Sequence, residues 1–102
     1  MQSITPQQLQ QRLLQNDSIQ LIDVREDFER EAFHIGGLHV PLSTIFEKAH
    51  LIEKEIPVVI YCQKGIRSQI AIQRLEARFG LSNLLNLQGG MHSWRSMNEQ
   101  SK

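Results

Sequence analysis

The apolar positions change period several times along the chain. Leu9 and Leu13 lie four apart in a polar, glutamine-rich stretch, which puts them on one face of a helix. Thr5-Pro6-Gln7-Gln8 reads as the start of that helix: Thr5 as N-cap, Pro6 in the first turn and Gln8 completing a capping box. The polar cluster Asn16-Asp17-Ser18 ends it. Ile19 to Val24 then predicts a short strand rich in β-branched residues. Glu26 to Ala32 is charged and long enough for one or two helical turns, and Gly36-Gly37 breaks the segment. Leu38-His39-Val40 ahead of Pro41 predicts a brief strand, and Ser43 or Thr44 is placed to cap a helix carrying Ile45, Phe46, Ala49 and Ile52. Pro57-Val-Val-Ile-Tyr61 is an unbroken apolar run, as required of a strand in a parallel sheet covered on both faces. A helix from about Ser68 to Phe79 follows, with Ile72, Leu75 and Phe79 on one face and Gly80 as its stop. Leu84 to Leu87 predicts the last strand, and Gly89-Gly90 turns into a short helix holding Trp94.

Strands and helices alternate throughout, without a linker or repeat. That pattern predicts one α/β domain built from βαβ units, with a mostly parallel sheet between helical layers. A length of 102 residues fits one such domain and not two. Eleven basic residues against eleven acidic ones give a formal charge of zero, which removes the bulk electrostatic case for a nucleic-acid or anionic-membrane partner. Near-zero charge also leaves self-association open, so a monomer or a weak homodimer is expected. No apolar run approaches the roughly 20 residues a membrane helix needs, and the N-terminus lacks the pattern of a secretory signal. The expected setting is a reducing cytoplasm.

The chain has one cysteine, Cys62, so neither an internal disulfide nor a multi-cysteine zinc site can form. It is either a small buried hydrophobe or a reactive thiol. Its position favours the second. Cys62 stands at the carboxyl end of the most apolar strand, where ligands of open parallel sheets bind. Gln63-Lys64-Gly65-Ile66-Arg67 leads from it directly into a helix. Gly65 permits a tight turn that aims backbone N–H groups inward, and the helix adds its positive end. Lys64 and Arg67 put two cations close to the sulfur, and each of these features favours the nucleophilic thiolate.

Four ordered segments, Leu21-Ile-Asp-Val-Arg25, His34-Ile-Gly-Gly37 ahead of Val40-Pro41-Leu42, Cys62-Gln-Lys-Gly-Ile-Arg67-Ser68, and Leu87-Gln-Gly-Gly-Met-His-Ser-Trp94, span nearly the whole chain. In this order and spacing the sequence resembles the rhodanese-like domains, which are single-domain sulfurtransferases. The resemblance implies a three-layer α/β/α fold with a mostly parallel five-stranded sheet. It also implies a mechanism in which Cys62 takes the outer sulfur of an anionic donor such as thiosulfate. The resulting persulfide passes that sulfur to cyanide, a thiol or a protein acceptor, with no metal or organic cofactor. Gln63, Lys64, Gly65, Ile66, Arg67 and Ser68 would form the substrate-binding loop. Four residues separate Cys62 from Arg67. Cysteine-dependent phosphatases keep a loop one residue longer, and the smaller ring suits a sulfur atom better than a tetrahedral phosphate.

Asp23 and Arg25, two apart at a strand end, are expected to form a local ion pair that supports the site. His34 is expected to hydrogen-bond within a turn, and His39, His50 and His92 show no metal-ligand spacing. Gln63 and Ile66 would line the mouth of the pocket. Ser68 either caps the helix or donates to the loop. Trp94 is expected in the core or at its rim. The family usually has glycine where Phe33 stands, proline where Gly36 stands and a small residue where Leu38 stands, so that turn is expected to differ and the pocket wall to be more apolar. Three readings remain: a sulfurtransferase, a sulfur-relay module acting on a protein partner, and a catalytically silent regulatory domain. The intact loop argues against the last.

Overall fold

A computed structural model describes residues 1–100. Five strands form one sheet, β1 (Ser3–Ile4), β2 (Gln20–Asp23), β3 (Leu38–His39), β4 (Val58–Tyr61) and β5 (Leu84–Leu87). Their order is β1-β5-β4-β2-β3, and every adjacent pair is parallel, so the sheet is wholly rather than mostly parallel. The helices are α1 (Pro6–Leu14), α2 (Asp27–Ala32), α3 (Ile66–Phe79) and α4 (Gly90–Gln100). β1 carries no periodic signal of its own; two residues pair with Asn86 and Leu87 and close one edge.

Strand alternation sorts the core into two layers. Ile22, Val58, Ile60, Cys62 and Leu84 face α3, packing with Ala71, Ile72 and Leu75. Leu21, Val59, Tyr61 and Leu87 face the other way, onto Leu9 of α1 and Met91 of α4, with Trp94 packed at the edge. Both faces of β4 are therefore dry, and all four of its residues are buried. The start of α1 forms as its sequence dictates: Thr5 Oγ1 accepts from the Gln8 N–H at 3.1 Å, and Gln8 Oε1 accepts from the Thr5 N–H at 3.0 Å.

Three expectations change. The segment after Pro41 is not a helix but a pair of 3-10 turns, Leu42–Thr44 and Ala49–Leu51. The Thr44 hydroxyl bonds back to the Pro41 carbonyl at 3.0 Å instead of capping forward. Lys48, at φ −100° and ψ 8°, interrupts the helical path. Ile45 and Ile52 still reach the core, while Phe46 turns outward to meet Phe79 edge-on at 6.1 Å. Phe79 is accordingly 44% exposed and not part of the core face of α3. That helix also begins two residues earlier than expected, at Ile66. Among the described residues no helix is long and apolar enough to cross a membrane.

Tyr61 fastens the 33–37 turn to the sheet. Its hydroxyl donates to the Gly36 carbonyl at 2.9 Å and accepts from the Ile35 N–H at 3.4 Å. Burial pushes its phenol up to about 12 from an ordinary 10.0. Tyr61→Phe is expected to cost about 1–2 kcal/mol in urea unfolding near neutral pH. Because the phenol ionises more readily in the unfolded chain, wild-type stability should fall relative to this variant as pH rises from about 10 to about 12. Parallel stability curves across that range would show that the hydroxyl is not held as described.

Candidate active site

Strand β4 delivers Cys62 to the carboxyl edge of the sheet, and the chain then reverses through Gly65 into α3. Gly65 has φ 94°, in the left-handed region, which a side chain would strain. The reversal turns the loop's N–H groups toward the sulfur. Cys62 Sγ accepts from the Gly65 N–H at 3.0 Å and from the Ser68 N–H at 3.4 Å, and it lies 3.3 Å from Ser68 Oγ. These donors, with the N-terminal end of α3, stabilise negative charge on sulfur. The thiol is 1% exposed, so only a small reacting atom can reach it through the opening above.

Beneath the sulfur lies a polar chain that the apolar pattern did not reveal. Ser68 Oγ donates to Asn86 Oδ1, and Asn86 Nδ2 donates to the Gly65 carbonyl at 3.4 Å. Asn86 is 4% exposed on β5, facing α3. The available signal was a lone amide inside the run Leu84-Leu-Asn-Leu87, at a position whose alternation points inward. Gly65 is the N-cap of α3, so Ser68 does not cap the helix; its amide donates to Cys62 Sγ and its hydroxyl to Asn86.

The start of α4 holds the loop from the other side. The Met91 N–H donates to the Cys62 carbonyl and the His92 N–H to the Gln63 carbonyl, both at 2.9 Å. Gly90 has to be glycine: a Cβ there would lie 2.3 Å from the Cys62 carbonyl oxygen. On the flank, Asp23 and Arg25 form a buried pair at 2.9 Å, 0% and 2% exposed. Arg25 also donates to the Phe33 carbonyl at 2.6 Å and to Gln63 Oε1 at 3.3 Å. The expected ion pair forms, and through Arg25 it reaches further than a local contact, to the turn at Phe33 and to the cysteine loop. His34 is exposed; its Nδ1 accepts the Gly36 N–H at 2.9 Å, and the residue is not among those lining the Cys62 depression. Gly36 has φ 94°, a value closed to proline, so this turn differs from the usual family turn for a steric reason. Phe33 and Leu38 are half exposed, and neither lines the depression, so the more apolar wall expected from them lies elsewhere.

An open depression of about 370 Å³ sits over Cys62, lined by Glu29, Gln63, Lys64, Ile66 and Arg67. Ile66 is 64% exposed at its rim. Of the two expected cations, Lys64 makes no ion pair among the described residues, but Arg67 does. Its Nη1 and Nη2 donate to the two carboxylate oxygens of Glu29, each at 2.7 Å. Both expected cations line the depression, but the charge of Arg67 is offset by Glu29. Glu29 was missed because it looks like any other charge in Glu26–Ala32. Its spacing from Glu26 as N3 of a capping box was the signal, and its Oε1 does accept the Glu26 N–H at 2.9 Å.

The known proteins most informative here share this arrangement of chain. A family model described as a rhodanese-like domain matches residues 5–97. The chain belongs to the rhodanese-like domain family. A rhodanese-like domain protein from Staphylococcus aureus superposes with a TM-score of 0.84 at 34% identity, covering 92% of this chain and 91% of that one. The uncharacterised protein YqhL of Bacillus subtilis is 42% identical over 76 residues, 74% of this chain and 60% of that protein. The adenylyltransferase and sulfurtransferase MOCS3 of Drosophila virilis is 31% identical over 99 residues, 89% of this chain. The chain spans only 22% of that MOCS3, so whatever else that protein does is not carried over.

The Glu29–Arg67 pair has a measurable signature. The Arg67 hydrogen bonds hold the Glu29 carboxyl down at about 2, from an ordinary 4.5. The carboxylate's contribution is present above about pH 4.5 and is lost as pH falls toward 2. Glu29→Gln is expected to be less stable than wild type by about 2 kcal/mol at pH 7, allowing for solvent around Arg67, with the gap closing through that acid range. A gap constant with pH would show that the ion pair is not what the substitution removes.

Proposed function

We propose that the chain is a sulfurtransferase that carries a sulfane sulfur on Cys62. The observation that carries this reading is the cradle of Gly65 N–H, Ser68 N–H and Ser68 Oγ around one buried sulfur. The Cys62 thiolate attacks the outer sulfur of a donor; the donor's S–S bond breaks, and sulfite or a thiolate leaves with the electron pair. An acceptor nucleophile then attacks the transferred sulfur, and Cys62 departs as thiolate. Two displacement steps replace one difficult transfer, and neither needs a general base once the thiolate is formed. The N–H groups stabilise the anionic sulfur in both states. Thiosulfate is one donor of the required type, and Lys64, which makes no ion pair among the described residues, would attract it.

The Ser68 hydroxyl connects the two states. Against a thiol, it accepts the S–H and donates to Asn86 Oδ1; against an anionic sulfur, its proton turns toward Cys62. The same contacts favour a sulfur atom over a tetrahedral phosphate: the Gly65 and Ser68 N–H groups point at Sγ itself, at 3.0 and 3.4 Å.

A second reading, transfer to or from a protein partner, is favoured by the exposed apolar side chains beside the depression. Phe28 is 71% exposed and Ile66 64%. MOCS3 and the putative sulfur carrier protein YrkF of Bacillus subtilis, 29% identical over 97 residues, are relatives named for sulfur transfer or carriage. Both readings use the same persulfide.

Incubation with thiosulfate followed by desalting should add one sulfur atom to the intact mass. Cyanide should discharge it as thiocyanate, and Cys62→Ser should abolish it. No adduct from thiosulfate or from an organic persulfide would leave the silent regulatory domain as the reading. Lys64→Ala should weaken thiosulfate use several-fold, and more at low than at high salt, because an exposed charge acts through a screened field. An effect independent of salt would remove Lys64 from donor recognition.

A further inference from the structure

The residue beside Cys62 whose purpose the reaction does not explain is Glu29. Its two oxygens face Arg67 in fork-to-fork geometry at 2.7 Å, and its side chain is 16% exposed, so water screens the pair only in part. The charge lining the depression is then one carboxylate, one guanidinium and one ammonium, a net of +1 from Glu29, Arg67 and Lys64. Glu26 also lies close enough to act on Arg67, and the rim is apolar, with Ile66 over the opening and Phe28 exposed nearby, one residue before Glu29.

Donors differ in the charge they bring. Thiosulfate carries two negative charges, so its attack by the Cys62 thiolate gathers three beside a single unbalanced cation. An organic persulfide, R–S–SH or its monoanion, brings none or one, and its carbon-bearing end meets an apolar rim. We infer that Glu29 is a specificity-determining residue: by occupying the guanidinium of Arg67, it turns the site away from small dianionic donors and toward organic persulfides. This rests on the persulfide reading above. The step balances without an oxidant. The Cys62 thiolate attacks the terminal sulfur of R–S–SH, the new S–S bond forms as the old one breaks, and R–S⁻ leaves with the electron pair while the proton stays on the transferred sulfur.

The test compares second-order rate constants for sulfur loading of Cys62 from thiosulfate and from cysteine persulfide, both read by intact mass. In Glu29→Gln the ratio of thiosulfate to persulfide constants should rise about tenfold, the scale of one unit charge acting on a nearby dianion at a partly screened site. Glu29→Asp, which keeps the charge, should hold the ratio near that of wild type. A ratio unmoved in folded Glu29→Gln overturns the role of Glu29 while leaving the persulfide chemistry standing. Loading from neither donor overturns the persulfide reading itself. Should Glu29→Gln not fold, the wild type decides: excess sulfate at constant ionic strength should slow loading from cysteine persulfide by less than about twofold, because its dianion finds no free guanidinium. Strong competition by sulfate would overturn the inference.

Discussion

The C-terminal edge of the sheet is organised around one buried guanidinium. A charge taken out of water has to be matched in both sign and geometry, and Arg25 meets that demand with partners from three segments. Asp23 supplies both carboxylate oxygens from the end of β2, the Phe33 carbonyl comes from the turn after α2, and Gln63 comes from the cysteine loop. Tyr61 lies under the same group, with the guanidinium carbon 5.6 Å from its ring centre. The buried pair does not have to be a net source of stability for this to matter. Once it is buried, displacing any of its partners leaves a charge or a carbonyl unsatisfied, and so the turn and the loop are held in register with each other.

That rigidity lets backbone dipoles do the electrostatic work at Cys62. The protein has no net formal charge, and even in the depression a carboxylate offsets one of the two cations that the loop carries. What is left is local and directional: two amide N–H groups, a hydroxyl and a helix end aimed at one atom, with a single ammonium outside. Dipoles fixed by the fold need no reorganisation when charge appears on sulfur, whereas mobile side chains do.

The sequence reveals the parts of this molecule that rest on local rules. The capping box at Thr5, the apolar run Val58–Tyr61 and the glycine at the Gly65 turn are each marked in the sequence by residues within four positions. What it conceals depends on residues far apart. Glu29 meets Arg67 across 38 positions, and Asn86 meets Ser68 across 18, so local spacing marks each residue but not its partner. β1 is too short to alternate and exists because β5 offers it an edge. The stretch from Ser43 to Ile52 has helical spacing in its apolar residues, yet backbone preferences at Thr44 and Lys48 decide otherwise and tertiary packing seats Ile45 and Ile52 without a helix.

The close approach of Gly90 to the Cys62 carbonyl carries a consequence for how the thiol comes into being. Three of the loop's partners, Asn86, Met91 and His92, lie downstream of it in the chain, while Arg25 and Glu29 lie upstream. While the polypeptide is being synthesised, Cys62 leaves the ribosome well before the three downstream residues. Through that interval its sulfur is that of an ordinary cysteine in an unfinished chain. The geometry around Cys62 is complete only with the fold, so a chain that stops short of Met91 lacks contacts that hold the loop.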